Sequence, residues 1–183
     1  YGAARCKEQL DDTTACLALL DSAVATFSKP YLKEAAPYIY ARAQALAESG
    51  KYRLAVNDYN EYENLMISQV NSAFYYIRSQ VEVKARLFQQ ALNDLDKAID
   101  KSPDILLYRS EKASLQIRVH LLDQAIETAS ECIRLFPDSS DGYLFLGLAQ
   151  CLKGDKALGV VNLLKAKDLG DAQADVLIEK YGK

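Results

Sequence analysis

Glycine and proline are scarce in this sequence, 8 and 4 in 183 residues, which is too few for a fold built on loops. Histidine occurs once, and the four cysteines (Cys6, Cys16, Cys132 and Cys151) form no CxxC pair. Both facts argue against a Cys/His zinc site. No apolar run approaches the roughly 18–20 residues of a membrane span. Positive charge is not in excess: 22 Lys and Arg stand against 25 Asp and Glu, for a net charge of −3. A nucleic-acid surface usually needs a basic stripe, so no nucleic-acid partner is expected. No Gly-rich phosphate loop, GxSxG or HExxH is present. The chain opens at Tyr1 with neither a methionine nor a signal-peptide pattern. We therefore expect a processed form or a piece of a longer protein, with any targeting signal outside it and the compartment open.

What is present is apolar residues, 50% of the total, and charged residues, 26%, as in a soluble globular chain with a sizeable core. From Ser72 to about Ala172 they recur with a period of 34. Ala98, Cys132 and Ala166 are 34 apart, and so are Ala91, Ala125 and Gly159. Ser79, Ala113 and Gly147 keep the step, as do Leu95, Ala129 and Leu163, and Pro103 and Pro137, with Asp171 next in phase. Small or apolar residues at fixed phase are what a stacked repeat requires. A 34-residue unit holds two helices and two tight turns, and such a pair cannot bury its own apolar face.

Taken in order, residues 1–10 are expected to end a helix, and Thr13 to Phe27 to form another, with Cys16, Leu19, Leu20 and Ala23 on one face. Pro30 breaks the pattern, and a slip of phase places a longer connection at 28–37. Tyr38 to Ser49 is the next helix, stopped by Gly50 in a left-handed turn. Tyr52 to Met66 is its partner, with Ala55, Tyr59 and Tyr62 inward, and two extra residues fall in 66–71. Helices follow near 72–85, 88–101, 105–119, 122–135, 140–153 and 156–168, with a last one at Ala172–Tyr181. Proline ends a helix in Pro103-Asp104 and Pro137-Asp138-Ser139, and Asp or Ser is expected to cap the next. Gly154 makes the turn inside the last unit, and Arg86 and His120 hold that place in the two units before it.

These residues resemble the tetratricopeptide repeat, which carries an aromatic, a Leu-Gly pair and a tyrosine on its first helix and alanine, an aromatic and alanine on its second, followed by proline. Tyr143, Leu146-Gly147, Gly154-Asp155 and Ala166 show it best. Ala55, Ala91 and Ala125 recur, with Tyr52 or Phe88 three residues before two of them. Ser79 and Ala113 depart from the glycine, Gly159 from an alanine, and Asn64 is polar. The resemblance covers about 36–171 strongly and 1–35 weakly. The stretch Lys165 to Ala172 also resembles the end of a Sel1-like repeat. The resemblance implies an all-α, right-handed superhelical solenoid of antiparallel helix pairs, with first helices lining a concave side. As one solenoid the chain would divide into a partial repeat and linker (1–35), repeats at 36–71, 72–105, 106–139 and 140–173, and a capping helix (172–183).

Members of that family usually bind a peptide or a partner's helix in the concave groove. The phase maps Tyr40 and Gln44, Tyr76 and Gln80, then Ser110 and Ser114 to exposed first-helix positions, with Lys84, Glu111 and Arg118 near the edge. Tyrosine offers large amphipathic contact area with few torsions to freeze; the plainer alternative is that these tyrosines pack between repeats. A known variant clamps a chaperone's C-terminal carboxylates with lysines and asparagines, and Tyr40, Gln44, Tyr76 and Gln80 stand where they would be, so chaperone-tail binding is not expected. The last unit shows Leu144, Leu148 and Cys151 to the groove, and Val176, Leu177 and Tyr181 are expected to cover them as a cap. An open apolar partner site is the alternative there.

Cys132 reads as a small buried hydrophobe. Cys6 with Cys16, and Cys132 with Cys151, lie on adjacent helices and could pair in an exported protein, but free buried thiols are the expectation. His120 has no nucleophile or metal-ligand spacing beside it. Asp94, Asp96, Asp100, Asp123, Glu127 and Glu131 read as solvated helix faces pairing with Lys and Arg. The Asn57–Asn64 run fits a calcium loop poorly, for want of its glycine. The expectation is a non-enzymatic protein-interaction module with no cofactor, a protein or peptide partner and self-association open. A structural spacer of a longer protein is one alternative and a helical-hairpin enzyme another.

Overall fold

The computed structural model describes residues 13–27 and 32–182. Among these residues the elements are all α-helices: α1 (Thr13–Ala25), α2 (Leu32–Glu48), α3 (Tyr52–Met66), α4 (Ser72–Lys84), α5 (Phe88–Lys101), α6 (Leu106–Arg118), α7 (Leu122–Leu135), α8 (Ser140–Lys153), α9 (Lys156–Asp168) and α10 (Ala172–Tyr181). From Tyr52 onward each boundary falls within a residue of the one read from the periodicity. The helix expected over 1–10, and with it Cys6, lies outside the described residues.

The main departure is α2. It begins at Leu32, not Tyr38, and takes Pro37 into its second turn. Near a helix start a proline forfeits one bond, from its missing N–H to the carbonyl four residues back. Burial of Ala35, Ala36 and Ile39, all fully inaccessible, offsets that loss. In α1 the inner face is Cys16, Leu17 and Leu20, while Leu19 points outward at 58% exposure. Leu17 lies one residue after Cys16 and three before Leu20, so it shares their stripe as well as Leu19 would have.

The turns inside the helix pairs share one geometry. Backbone N–H groups of Lys51, Leu87, Leu121 and Asp155 donate to the carbonyls of Leu46, Glu82, Gln116 and Gln150, five residues back, at 2.8–2.9 Å. That is a Schellman closure, and it puts the preceding residue in the left-handed region. Gly50 (φ 77°) and Gly154 (φ 111°) occupy it freely, whereas Arg86 (φ 62°) and His120 (φ 65°) hold it with a side chain. At helix starts, Asn71 Oδ1 accepts from the Phe74 N–H at 3.0 Å, and Ser139 Oγ caps α8 as expected. Asp104 does not cap α6: Ile105 occupies that place with no side-chain cap.

The chain divides into two compact units, Tyr1–Ala91 and Leu92–Lys183. In the first, α1 packs on α2, α2 on α3 and α3 on α4. In the second, α6 through α10 pack each on the next, and α8 also touches α6 and α10. Successive helices joined by short turns and packed this way are antiparallel pairs stacked side by side. The in-phase helix positions are buried, whereas Pro103 and Pro137 at the turns are exposed. Ala91, Ala98, Ala113, Ala125, Ala129, Leu163, Ala166 and Ser79 have no accessible surface, and Cys132 and Leu95 have 1%.

In the second unit α10 packs on the core of the helices before it. Leu144, Cys151, Leu163, Ala166 and Ala174 form that core, and Leu177, Ile178 and Tyr181 of α10 pack against it. Ile178 takes the part expected of Val176, which is 67% exposed. Its position three residues before Tyr181 and four after Ala174 puts it on the inner stripe. Cys16, Cys132 and Cys151 are buried, and Cys132 and Cys151 are free thiols not paired with each other.

Candidate interaction surface

The aromatic residues of the first unit converge on α2, α3 and α4. Tyr40 of α2 lies 5.0 Å from Tyr62, 5.6 Å from Tyr59 and 6.4 Å from Phe74, centroid to centroid. Tyr59 is 1% exposed and sits edge-on to Phe74 at 6.0 Å. Burial pushes the Tyr40 phenol above its ordinary pKa, and Tyr62 adds to the shift. Burial does the same to Tyr59, more strongly. Tyr40 nevertheless keeps part of its surface accessible, as do Gln44, Tyr76 and Gln80. The Tyr40 ring is thus a packed element with one side left accessible.

Ionic contacts hold the helices that carry this face. Arg42 Nε and Nη2 donate to the two oxygens of Asp58 at 2.7 and 2.9 Å, and Nη1 donates to Asp21 at 3.0 Å. One guanidinium thus ties α2 to both α3 and α1, and the Asp58 hydrogen bonds raise its pKa. Arg78, 3% exposed, donates through Nη1 to Glu63 at 2.7 Å and Asn60 at 3.0 Å. Its guanidinium also lies over the Phe74 ring at 5.1 Å and the Tyr75 ring at 5.6 Å. Tyr75 Oη donates to the other oxygen of Glu63 at 2.8 Å.

In the second unit the mapped positions differ in accessibility. Ser114 is half-buried and Arg118 exposed. Ser110, expected at the surface, is 5% exposed, and its hydroxyl donates to Asp141 at 2.6 Å. The α8 helix covers it there, a neighbour that the phase of α6 alone does not specify. Among the six acidic residues read as solvated, Asp94 is the exception at 3% exposure, with Lys97 Nζ at 3.4 Å. The lone histidine, His120, is exposed. Among the described residues no group of three His, Cys, Asp or Glu is placed to hold a metal ion. No described helix is long and apolar enough to cross a membrane.

Two depressions escaped the sequence reading. One, of about 480 Å³, lies in the first unit between the α2–α3 turn and the end of α4, and is lined by Lys51, Tyr52, Arg53, Leu54, Lys84 and Arg86. The sequence shows two cations beside each of two equivalent turns, but not that the turns meet. The other, of about 410 Å³, lies in the second unit around Arg109, Lys112, Thr128 and Glu131. There the Arg109 guanidinium donates to the Pro103 carbonyl, and Lys112 Nζ meets Asp96 at 2.5 Å.

No family model matches the sequence, and no curated protein does. Solved structures do match in shape. YrrB, described as a TPR protein with an unusual peptide-binding site, superposes with a TM-score of 0.73 at 20% identity, over 92% of this chain and 84% of its own. MamA from Desulfovibrio magneticus gives 0.70 at 19% identity, over 91% and 90%. The C-terminal part of a TPR repeat-containing protein from Cytophaga hutchinsonii gives 0.71 at 17% identity, over 93% of this chain and 64% of its own. With its all-helical elements, its 34-residue phase and these likenesses, the chain has the tetratricopeptide-repeat fold.

Proposed function

We propose that the protein is a non-enzymatic interaction module that holds an extended peptide, or one helix of a partner protein, against the first helices of its repeats. The observation that carries this reading is the partly open set Tyr40, Gln44, Tyr76 and Gln80 on α2 and α4. A tyrosine whose ring is already held by Tyr59, Tyr62 and Phe74 loses little freedom on binding. The neighbouring glutamines can donate to and accept from a peptide backbone without charge. The second unit by itself offers Ser114 and Arg118 on α6, and Ser110 would serve there by orienting Asp141. YrrB, of similar fold, is described as having a peptide-binding site, which favours a peptide as ligand.

The test is selection of peptides from a random display library on the full chain, followed by titration calorimetry with a selected peptide. The control is the Tyr40→Ala, Tyr76→Ala double variant, shown to be folded by circular dichroism. A loss of affinity of about tenfold or more in the variant supports the first-helix face, as expected when two aromatic anchors are removed. Equal affinity moves the site elsewhere on the chain. Failure to select any peptide favours the spacer role.

A further inference from the structure

The cationic depression of the first unit shares no residue with the set Tyr40, Gln44, Tyr76 and Gln80, though Lys84 lies at the edge of that face, and it has its own chemistry. Lys51 and Arg53 come from the α2–α3 turn and the start of α3; Lys84 and Arg86 come from the end of α4 and the turn after it. All four are exposed, and among the described residues none is engaged by a carboxylate. The contrast with Arg42 and Arg78, each bound to an acid, is direct. The floor is apolar: Tyr52 is half-buried with Lys84 Nζ 5.7 Å from its ring centroid, and Leu54 is left 54% exposed. The start of α3 has no side-chain cap and no acidic residue in its first turn, so its partial positive charge adds to that of the four side chains.

We propose that this depression docks an acidic peptide segment: a short run of aspartate and glutamate carrying one apolar side chain, which would sit on Tyr52 and Leu54. Charge complementarity selects the acidic character, because four unpaired cations around one opening attract carboxylates and steer their approach. The exposed leucine and half-open tyrosine select the apolar anchor. Scale favours a peptide over a polyanion. The basic surface spans two turns of a chain whose net charge is −3, so a nucleic acid or an anionic membrane would meet repulsion beyond the patch.

The test uses fluorescence anisotropy of the full chain with a labelled eight-residue peptide of aspartate and glutamate around a central leucine. Binding is expected to weaken about tenfold between about 50 and 300 mM salt, as contacts at a charged surface do. The Lys51→Gln, Arg53→Gln, Lys84→Gln, Arg86→Gln variant is expected to bind at least about tenfold more weakly, and a glutamine-for-acid peptide equally so. The Tyr40→Ala, Tyr76→Ala variant should bind the acidic peptide as the parent does, which separates this site from the first-helix face. All four substituted residues are exposed, and circular dichroism checks that the variant is folded. A second variant, with glutamate at all four positions, should instead favour a lysine-rich peptide of the same length. Three outcomes would overturn the proposal. These are equal binding of the acidic peptide by parent and glutamine variant, equal binding of the charged and neutral peptides, or tighter binding of duplex DNA or phosphatidylserine vesicles than of the peptide.

Discussion

Single residues in the first unit carry more than their own packing. Arg78 is buried with its charge matched to Glu63 and its plane laid over two rings. Removing it leaves Glu63, whose side chain is only 16% exposed, without its cation. Arg78→Ala is therefore expected to destabilise the protein by about 3 kcal/mol in urea unfolding, in the range for breaking a buried ion pair. The tyrosines set the alkaline limit. Burial raises the pKa of Tyr59 above its ordinary 10.0, with smaller contributions from Tyr40 and Glu48. The unfolded chain then releases protons first as pH rises, so the folded form holds more protons and loses stability. The contribution is complete below pH 10.0 and declines above it. Cys132 acts in the same direction, its thiol pushed up from 9.0 to about 11 by burial. Urea midpoints should fall between about pH 9 and pH 11, and Tyr59→Phe should flatten the part of that fall due to Tyr59.

At the scale of the element, the helix pairs differ in how closely they approach and in how their turns close. The α8–α9 pair is the tightest by residue size. A Cβ placed on Gly147 would lie 2.7 Å from the Gly159 carbonyl oxygen and 2.9 Å from the Leu163 nitrogen. Both are backbone atoms and cannot swing aside. Gly147→Ala should force the helices apart and lower stability by about 2–3 kcal/mol, read as a drop in the thermal midpoint of unfolding. The turns make the opposite case. Arg86 and His120 stand left-handed where Gly50 and Gly154 do so freely. Arg86→Gly and His120→Gly are each expected to stabilise by about 0.5–1 kcal/mol in chemical denaturation. Arg86→Gly should also weaken the acidic-peptide site, so at that position stability and binding would trade against each other.

At the scale of the molecule, the decisive feature is that a repeat cannot bury its own apolar face and needs a neighbour over it. The core around Leu144, Cys151 and Leu163 is covered by Leu177, Ile178 and Tyr181 of α10. Deleting residues 171–183 would uncover it, at a cost of about 3 kcal/mol on the scale of two or three half-buried apolar side chains. The truncated chain should show a lower thermal midpoint and self-associate in light scattering. Normal stability and a monomeric profile would mean that α10 is not needed as a cap.

The sequence by itself determined the helical elements from Tyr52 onward, because a 34-residue phase repeats the same small residues at every helix crossing. Ala91, Ala125 and Gly159 can be located by counting, and all three are buried. It also pointed to α10 packing on the last helix pair, since apolar residues such as Leu144 and Cys151 need a cover. Periodicity specifies which face of a helix is inward, but says less about what approaches the other faces. Only the tertiary structure therefore decided that α2 runs through Pro37, that Asp141 takes the Ser110 hydroxyl, and that Asp94 is buried. The same holds for the four cations of the first unit, which come from two stretches more than thirty residues apart and meet at one opening because the α2–α3 turn and the end of α4 fold to the same place.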